Sequence, residues 1–463
     1  MFNPTSWRGV GGVRFTTGPN LANTHKLDRL PIPMLERMTR RGFAVDRDHF
    51  HSLAADFDAE ITKFDERIGE YVDPMKLDSF NADSPEQVAH VLFDILKVGA
   101  GRRLKVTANT GRVSTGKKQM ELLKSQHPLI QLVLDRKGMQ KLKSTYAEAL
   151  PLRARRHAKG WCAACCERHK YETWRIHTEF GTTRTDTSRF NSKNPNLQNI
   201  PKRTELGKKI RQGFIASPGC KLTSNDFSQI ELRLLAHCAN ESKMIGIFER
   251  DLDIHTATAA DVFGVEYGDV DKFTQRMPCK NVNFMIVYGA TEVGLQGQLA
   301  LSGLMWDDAQ CKQFIEDWFD NYSGVRGYMD WITSCATTYG FVWDEFGGVR
   351  MTPEVRSTLP RVRAAGVRQA GNMPVQATAA GLMKLSMGEI EDRHAMYMDR
   401  DDTTSSFWKP LSTIHDQLIG ECPEDVADDW LTKVNTAMVE CVELRVPVKV
   451  DGELADRWDE GGE

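Results

Sequence analysis

The chain has 463 residues and a formal net charge of −3 at pH 7, which excludes a protein that coats nucleic acid through bulk positive charge. Hydrophobic residues make up 41% and charged residues 27%, a balance typical of a globular fold with several subdomains. No apolar run approaches the roughly 20 residues of a membrane helix, so no membrane role is expected. The ten cysteines lie mostly apart and no secretory leader is recognisable, which favours a reduced intracellular compartment.

The first half of the chain is predicted to be mainly helical after an irregular arm. Residues 1–30 are rich in Gly, Asn, Thr and Pro and show little periodicity, so they predict an extended arm. Apolar residues follow helical spacing over 35–97, with interruptions, and again over 117–150. The turn-rich, strand-like sequence over 174–222 then indicates part of a sheet.

The second half of the chain is predicted to combine helices and strands. Helical spacing returns over 230–248, 270–287 and 307–339. Residues 412–422 alternate apolar and polar side chains, and a long helix and a strand-like segment over 446–450 follow. These patterns predict a mixed α and β fold in which helices flank a central sheet.

A repeat of cations and aromatics stands out between residues 276 and 289. Arg276, Lys280, Phe284 and Tyr288 recur at every fourth position, and Gly289 follows. Steps of four on a helix place side chains almost above one another, so these residues form one stripe. The stripe offers two donors to a phosphate chain and two flat apolar surfaces to a base or sugar, which suits a nucleoside triphosphate. The alternative is that the two aromatics belong to the core and the cations are merely solvated.

Two aspartates occupy positions that suit Mg²⁺ ligands. Asp226 closes an apolar run and opens a helix, where the alternative is a helix N-cap. Asp416 is flanked on both sides by alternating apolar residues, which predicts the tip of a hairpin. Two carboxylates on a rigid sheet can bind two Mg²⁺ ions about 3.5 to 4 Å apart. Together with a triphosphate-binding helix, this pair predicts nucleotidyl transfer.

A cluster of cysteine and histidine near residues 157–170 has a spacing that suits Zn²⁺. The predicted zinc ligands are Cys162, Cys165, Cys166 and His169, with His157 nearby. No second cysteine pair completes a strong zinc signature, so free thiols remain the alternative.

Three segments carry the residues described above in chain order: Asp226-Phe-Ser-Gln-Ile-Glu-Leu-Arg233, the stripe from Arg276 to Gly289, and His415-Asp416. They resemble motifs A, B and C of the family A, polymerase I-like DNA polymerases. Thr187-Ser-Arg189 through Pro195-Asn-Leu-Gln-Asn-Ile-Pro201 resembles the primer-template segment of that family, and the segments at 80–87, 141–146, 253–259 and 368–376 resemble others in order. The resemblance covers roughly residues 31–460 and suggests a phage-like member.

The resemblance implies an α+β, right-hand polymerase fold with an antiparallel-sheet palm, helical fingers and a helical thumb. The implied divisions are an N-terminal arm (1–30), a thumb-like helical region (31–150), palm with a Cys-rich insertion near 157–170 and the primer-template segment (151–225), motif A and fingers (226–345), and palm with motif C and a C-terminal strand (346–463). The family commonly carries an exonuclease domain upstream, and only about 30 residues precede the thumb-like start, so no exonuclease domain is expected in this chain.

The resemblance also implies a role for each motif residue. Asp226, Asp416 and the backbone carbonyl of Phe227 would bind two Mg²⁺ ions, and Lys280 would protonate the departing pyrophosphate. Glu231 would be a steric gate against a ribose 2′-hydroxyl. The implied nucleotide-binding residues are Arg276, Lys280, Phe284, Tyr288, His255, Glu231 and Gln229. The implied DNA-binding residues are Arg189, Arg368, Asn372, Gln376 and His415.

The resemblance implies template-directed addition of dNTPs to a primer 3′ end by a DNA polymerase, in the cytoplasm or, for a viral chain, the host cytoplasm. The implied partners are primer-template DNA, dNTPs, and a separate exonuclease or processivity factor. An organellar location is the alternative, because Arg8 and Arg14 precede the first acidic residue. Two other functions remain open: a non-catalytic hand-shaped DNA-binding subunit and a single-subunit RNA polymerase.

Some positions depart from the family pattern. Gln417 stands where an acidic residue usually follows the motif C aspartate, and Gly381 stands where an acidic residue is usual. Phe227 replaces a commoner Tyr, and Met285 replaces a common Gly. None of these departures removes an implied metal ligand.

Overall fold

The computed structural model describes most of the chain: residues 9–77, 79–101, 104–107, 111–163, 165–183, 185–202, 204–287, 289, 291–301, 303–401 and 403–459. Within these ranges no helix combines the length and apolar character needed to cross a bilayer.

The N-terminal arm is partly helical and is packed into the core, so the prediction of an extended arm over 1–30 is wrong for its described part. Helix α1 (Leu21–Arg29) begins at Asn20, whose side chain accepts a hydrogen bond from the backbone N–H of Asn23. Phe15 is buried, and its ring centroid lies 5.2 Å from that of Phe346. Part of the arm forms a helix because Asn20 caps that helix, and the buried ring of Phe15 packs the arm into the core.

The helical region that follows contains a long antiparallel pair of helices. Its regular elements are α2 (Ile32–Arg41), β1 (Phe43–Ala44), α3 (Arg47–Val72), α4 (Pro85–Ala89), α5 (Lys117–Leu123), α6 (Pro128–Leu142) and α7 (Ala149–Arg153). The side chain of Asp46 caps α3, and α3 packs against α6. Helix α2 instead contributes Met34 and Met38 to the main core of the molecule, although the predicted boundary at residue 31 assigned it to the thumb.

Short antiparallel strands connect the thumb-like helices to the central sheet. They are β2 (Arg155–His157), β3 (Gly160–Cys162), β4 (Glu167–His169), β5 (Thr173–Ile176), β6 (Glu179–Gly181) and β7 (Asn191–Lys193), and helix α8 (Glu205–Arg211) follows them. Strands β1, β5 and β2 form a three-stranded sheet, whereas β3 pairs with β4 and β6 pairs with β7.

The central sheet has four antiparallel strands. In the sequence, the helices of the fingers lie between its first strand and the other three. The remaining elements in chain order are β8 (Cys220–Phe227), α9 (Ile230–Ala239), α10 (Ser242–Glu249), α11 (Ile254–Phe263), α12 (Met277–Val287), α13 (Glu292–Leu301), α14 (Asp308–Asn321), α15 (Ser323–Tyr339), β9 (Phe341–Trp343), β10 (Val349–Met351), α16 (Pro360–Met398), β11 (Lys409–Ile414), β12 (Gln417–Pro423), α17 (Ala427–Glu440) and β13 (Val450–Ala455). The strand order of the central sheet is β11-β12-β8-β13. The predicted α+β class with an antiparallel sheet is confirmed.

Helix α16 forms the spine of the main core and explains one departure from the family pattern. It runs for 39 residues and packs against α9, α15 and α17. At Gly381 the ring of Phe346 lies so close to the helix that an added Cβ would collide with it. A longer acidic side chain therefore does not fit at this position unless Phe346 moves.

Candidate active site

Strand pairing brings the two predicted metal ligands together at one end of the central sheet. Asp226 lies near the end of β8, and Asp416 lies in the two-residue turn between β11 and β12. The backbone N–H of Phe227 donates a hydrogen bond to the carbonyl oxygen of Asp416, at 3.1 Å. The predicted hairpin tip is confirmed, and His415 adopts the positive φ of 58° that such a tight turn requires.

Asp226 does not serve as the N-cap of the next helix. Helix α9 begins after Gln229, whose φ is 50°, whereas Asp226 is still paired within the sheet. Within the described residues, the Oδ1 atom of Asp226 is buried and has no hydrogen-bond partner, and Lys202 Nζ lies 3.6 Å from Oδ2. A buried carboxylate oxygen without a partner is costly, so the position suits a bound cation better than it suits capping.

The electrostatics of the aspartate pair also favour a bound cation. Burial and the neighbouring charge of Asp416 raise the pKa of Asp226 to about 7, and Lys202 only partly offsets them. Burial, together with the charge of Glu231, also raises the pKa of Asp416. Two carboxylates that repel each other in a partly buried cleft gain free energy when a divalent cation neutralises them, so the donor set fits Mg²⁺.

Gln417 occupies the sheet position directly opposite Asp226. Its side-chain amide donates a hydrogen bond to Ser224 Oγ at 2.7 Å. An acidic residue here would add a third negative charge beside the aspartate pair, whereas the amide is neutral and is held by strand β8.

The predicted stripe lies on the partly exposed face of α12. Lys280 is exposed, Arg276 is half-buried and Phe284 is 37% exposed, whereas Cys279 and Asn283 are buried. The alternative that Phe284 is a core residue is therefore wrong, because its ring lies on the accessible side of the helix. Tyr288 lies outside the described residues, so its predicted role stays a prediction.

Arg276 is held by an acidic residue that was not among the predicted site residues. Its guanidinium donates two hydrogen bonds to Asp253, at 2.8 and 3.1 Å, and one to Thr256 at 3.2 Å. Burial raises the pKa of Asp253, but the bonds from Arg276 and Thr256 outweigh it and lower the pKa to about 2. Asp253 also caps α11, so one carboxylate fixes both the arginine and the start of the helix that carries His255.

A buried network fixes the tautomer of His255, and sequence reasoning missed its central residue, Asn283. The Asn283 amide nitrogen donates to His255 Nδ1 at 2.9 Å, while its oxygen accepts from Trp318 Nε1 at 2.6 Å. Burial lowers the pKa of His255 to about 4, so the ring is neutral. With Nδ1 accepting, the proton lies on Nε2, which leaves a neutral donor for a ligand. The signal available in the sequence is a polar Asn between Val282 and Phe284 in a helical run.

Glu231 and Arg189, predicted for different roles, are joined in the structure. The Arg189 guanidinium donates a short hydrogen bond to the Glu231 carboxylate in the first turn of α9. The backbone of Arg189 is itself held by Thr185 Oγ1, which donates to its carbonyl at 2.8 Å. A change at Glu231 will therefore also release Arg189.

The other predicted DNA-binding residues are distributed over α16 and the hairpin tip. Along α16, Arg368 is exposed, Asn372 is half-buried and Gln376 is buried, while His415 is exposed at the tip. Gly289 has a φ of 69° and its backbone lies against Arg368, so any side chain there would collide.

A cleft beside the aspartates is formed partly by the predicted primer-template segment. Its lining includes Gln198, Lys202, Asp226, His415 and Asp416. Gln198 was not predicted as a site residue, yet its amide donates to the carbonyl of Thr413 on β11 at 3.1 Å. This bond ties the segment 187–201 to the strand that carries the hairpin tip.

The sequence model of DNA polymerase family A matches residues 47–460. The chain belongs to this family. It is 35% identical to DNA polymerase I of Deinococcus radiodurans over 425 residues, which are 92% of this chain and 41% of that protein. The thermostable DNA polymerase I of Thermus thermophilus is also 35% identical, over 92% of this chain and 47% of that protein. The chain thus spans less than half the length of these family A relatives.

A solved structure extends the family A assignment to the fold. The POL domain of Pol1 from M. smegmatis, in a complex with DNA primer-template and dNTP, superposes with a TM-score of 0.79 at 28% identity. The match covers 96% of this chain and 74% of the other. The predicted right-hand polymerase fold is thereby confirmed, whereas the domain boundaries and the roles of single residues stay predictions.

In the Cys-rich insertion of this family A chain, the side chains that cluster differ from the predicted zinc ligands. Cys166 has a φ of 57° and is exposed, so it points away from the other candidate ligands. The buried cluster consists instead of His157, Cys162, Cys165 and His169. The sequence places His157 only nearby, and the packing of β2 beside the β3–β4 hairpin brings it into the cluster.

Proposed function

We propose that the chain is a template-directed DNA polymerase that adds dNTPs to a primer 3′ end with two Mg²⁺ ions bound by Asp226 and Asp416. The observation that carries this proposal is the partly buried aspartate pair, in which Asp226 Oδ1 has no hydrogen-bond partner among the described residues and the pKa of both carboxyls is raised. Family A membership supports the same chemistry, and a related POL domain has been solved with primer-template and dNTP.

The metal ions would act on the attacking oxygen and on the leaving pyrophosphate, and the protein would hold the metal ions and the incoming nucleotide. When bound, two Mg²⁺ ions lower the pKa of the attacking primer 3′-hydroxyl and stabilise the leaving pyrophosphate. Asp226 and Asp416 would hold them, with the Phe227 carbonyl as a further ligand. Gln229 and Glu231 at the start of α9 would border the incoming nucleotide beside this pair.

Helices α11 and α12 would bind the nucleotide. Arg276 and Lys280 would contact the triphosphate as cations, and His255 would donate a neutral hydrogen bond from Nε2. Lys280 is the cation that can also protonate the pyrophosphate, since it is exposed and has no ion-pair partner among the described residues. Phe284 would pack against the sugar and base, with Tyr288 beside the template base.

Glu231 would select deoxyribose, and a separate group of polar residues would contact the DNA. The carboxylate of Glu231 is held by Arg189, which keeps it in the space that a 2′-hydroxyl would need. The proposed DNA contacts are Arg189, Arg368, Asn372, Gln376 and His415. Acceptors in the minor groove are shared by correct base pairs, so these residues would test the shape of the primer end rather than its sequence.

A primer-extension assay tests the proposal directly. The purified chain is expected to extend a labelled primer with dNTPs and Mg²⁺, and Asp416→Ala is expected to lower extension by at least about 10³-fold because a metal ligand is lost. Asp429→Ala, which removes an exposed carboxylate of helix α17, is the matched control and should extend normally.

Binding of the duplex separates the alternatives. Asp416→Ala should retain its affinity for primer-template DNA, measured by fluorescence anisotropy. If the unmodified chain binds DNA but extends nothing, it is a non-catalytic subunit; if it prefers NTPs, it is an RNA polymerase. Appreciable extension by Asp416→Ala would refute the assignment of the metal ligands.

A further inference from the structure

The Cys-rich insertion contains a buried cluster of four side chains that polymerisation does not use. One ligand-type atom from each of His157, Cys162, Cys165 and His169 lies within 4.8 Å of the other three, and all four residues are buried. Each of the four is of the type that binds a soft or borderline metal ion, and their atoms lie close enough together to share one ion.

We propose that these four residues bind one structural zinc ion. The set contains two cysteines and two histidines, which is a common tetrahedral zinc set. All four ligands come from the protein, so no coordination position remains open for a substrate. The proposal is independent of the polymerase function.

The hydrogen bonds around His157 prepare one of its nitrogens for a metal. His177 Nδ1 donates to the carbonyl oxygen of Thr39 at 2.9 Å, so His177 Nε2 is left as an acceptor. His157 Nε2 lies 3.0 Å from that nitrogen and must therefore carry the proton that joins them. The ring centroids lie 5.1 Å apart and the ring planes 19° apart, which is compatible with an end-to-end bond between the two Nε2 atoms.

The consequence is a bare nitrogen on one of the four clustered residues. His157 Nδ1 carries no proton in this tautomer, and it is buried without a hydrogen-bond partner in the part of the chain that the structure describes. Metal-binding histidines typically donate their other ring N–H to a second group, which fixes the tautomer. His177 and Thr39 supply that second group here.

The hairpin of β3 and β4 holds the other three ligands. Cys162 ends β3 and His169 ends β4, with Gly160 paired to His169 across the hairpin. The backbone N–H of Cys166 donates to the carbonyl of Cys162 at 2.8 Å, which closes a tight turn around Cys165. This turn places Cys162 and Cys165, which are separated by two residues in the sequence, on the same side of the turn.

The distances are close to those of a zinc site. Zinc bonds of about 2.3 Å to sulfur and 2.0 to 2.1 Å to nitrogen place neighbouring ligand atoms about 3.3 to 3.8 Å apart. Cys165 Sγ and His169 Nε2 are 2.9 Å apart, a hydrogen-bond length, and would separate by about half an ångström around an ion. Both cysteines would bind as thiolates, and their two protons would pass to solvent.

The insertion is anchored to the base of the palm, far from the aspartate pair. Glu167, between the ligands, pairs with Arg41 at 2.6 Å and Lys409 at 3.4 Å, and all three side chains are buried. Lys409 begins β11, whereas His415 follows its end, so the strand separates the two sites by about 20 Å. Zinc would therefore stabilise the insertion without contacting the reaction.

Metal analysis of purified protein tests the site. The unmodified chain, purified with reductant and dialysed against EDTA, should contain about one zinc per chain by mass spectrometry. Cys165→Ser and His157→Ala should each retain less than a tenth of that amount. The matched control is Cys166→Ser, an exposed neighbouring thiol outside the cluster, and it should retain the full amount. Equal loss from Cys165→Ser and Cys166→Ser would overturn the ligand assignment.

A measurement on the unmodified chain avoids dependence on the folding of the variants. Protein stripped of metal with a thiol reagent and a chelator, then reduced, is titrated with Co²⁺. Tetrahedral binding to two thiolates should produce visible ligand-field bands and a near-ultraviolet sulfur-to-cobalt band, which one equivalent of Zn²⁺ removes. Absence of these bands, or isolation of iron in place of zinc, would refute the proposal.

Discussion

The two ends of strand β11 carry clusters of metal-ligand residues that are opposite in character. At one end, Asp226 and Asp416 are like charges whose pKa values are raised in a cleft that opens to solvent. At the other end, His157 and Cys165 belong to a closed, buried set without carboxylates. Oxygen ligands with free positions suit a labile Mg²⁺ that turns over with substrate, whereas a closed nitrogen and sulfur set suits a permanent ion.

The supporting residues differ in the same sense. Around the aspartates, the neighbours Lys202, Glu231 and Arg189 carry charges, and Asp226 retains a buried oxygen that no described residue hydrogen-bonds. Around the cysteines, a chain of neutral donors through His177 ends at a backbone carbonyl. The active end thus keeps unsatisfied charge for a ligand, whereas the insertion leaves a neutral nitrogen, His157 Nδ1, without a hydrogen-bond partner among the described residues.

Chelation should give the largest difference between the two ends. Brief excess EDTA should abolish primer extension completely, and added Mg²⁺ should restore it, because the aspartate pair exchanges its ions. The zinc content should stay unchanged over the same interval, as measured on the same samples by mass spectrometry. Loss of zinc together with activity would remove the distinction between a labile and a permanent site.

Glu231→Ala should strongly change sugar selection at the open end. Loss of the carboxylate makes room for a 2′-hydroxyl, so the preference for dNTPs over NTPs should fall by about 10- to 200-fold, equivalent to the 1 to 3 kcal/mol or so that one such contact contributes. The preference is measured as the ratio of kcat/KM values. Arg189→Ala keeps the Glu231 carboxylate but removes the arginine that holds it, so it separates the effect of the gate from that of its partner. An unchanged ratio in Glu231→Ala would contradict the assignment of Glu231 as the gate.

Asn283→Leu tests the tautomer of His255. The near-isosteric side chain cannot donate to Nδ1, so the neutral Nε2–H donor is no longer enforced, and kcat/KM for dNTPs should fall about 10-fold, equivalent to one hydrogen bond. Affinity for primer-template and zinc content should not change. Because the pKa of His255 is held near 4, the unmodified enzyme should show no histidine step between pH 6 and 8. Such a step appearing only in Asn283→Leu would support the assignment, and unchanged kinetics would contradict it.

Asp226→Asn should remove activity but stabilise the fold. The gain in stability is the smallest of the expected effects. The pKa of Asp226 is about 7 in the folded chain and near 3.8 ordinarily, so ionisation as pH rises between these values destabilises the folded state. In EDTA at pH 8, the free energy of unfolding of the variant should be about 1 to 2 kcal/mol higher than that of the unmodified chain, after allowance for the partial exposure of Asp226. The gain should shrink at pH 5 and disappear near pH 4. A loss of stability at pH 8 would contradict the electrostatic account.

Local sequence determined the elements that carry the chemistry. The alternation over 412–422 gave the hairpin, and its polar pair His415-Asp416 gave the tip, because a period of two leaves few other structures. The four-residue spacing placed Lys280 and Phe284 on one face of α12 and Arg276 in the helical turn that ends where α12 begins, because helix geometry depends only on the helix itself. Order of motifs along the chain was enough to indicate the family.

Only the tertiary structure decided which distant residues act together. Asp253 with Arg276, Asn283 with His255 and Arg189 with Glu231 are contacts between elements separated by more than 20 residues, and no local pattern encodes them. The same is true of His157, which replaced Cys166 in the zinc set once β2 and the β3–β4 hairpin were packed. Periodicity reports the face that a residue occupies, whereas partners depend on how those faces are packed, which the whole chain determines.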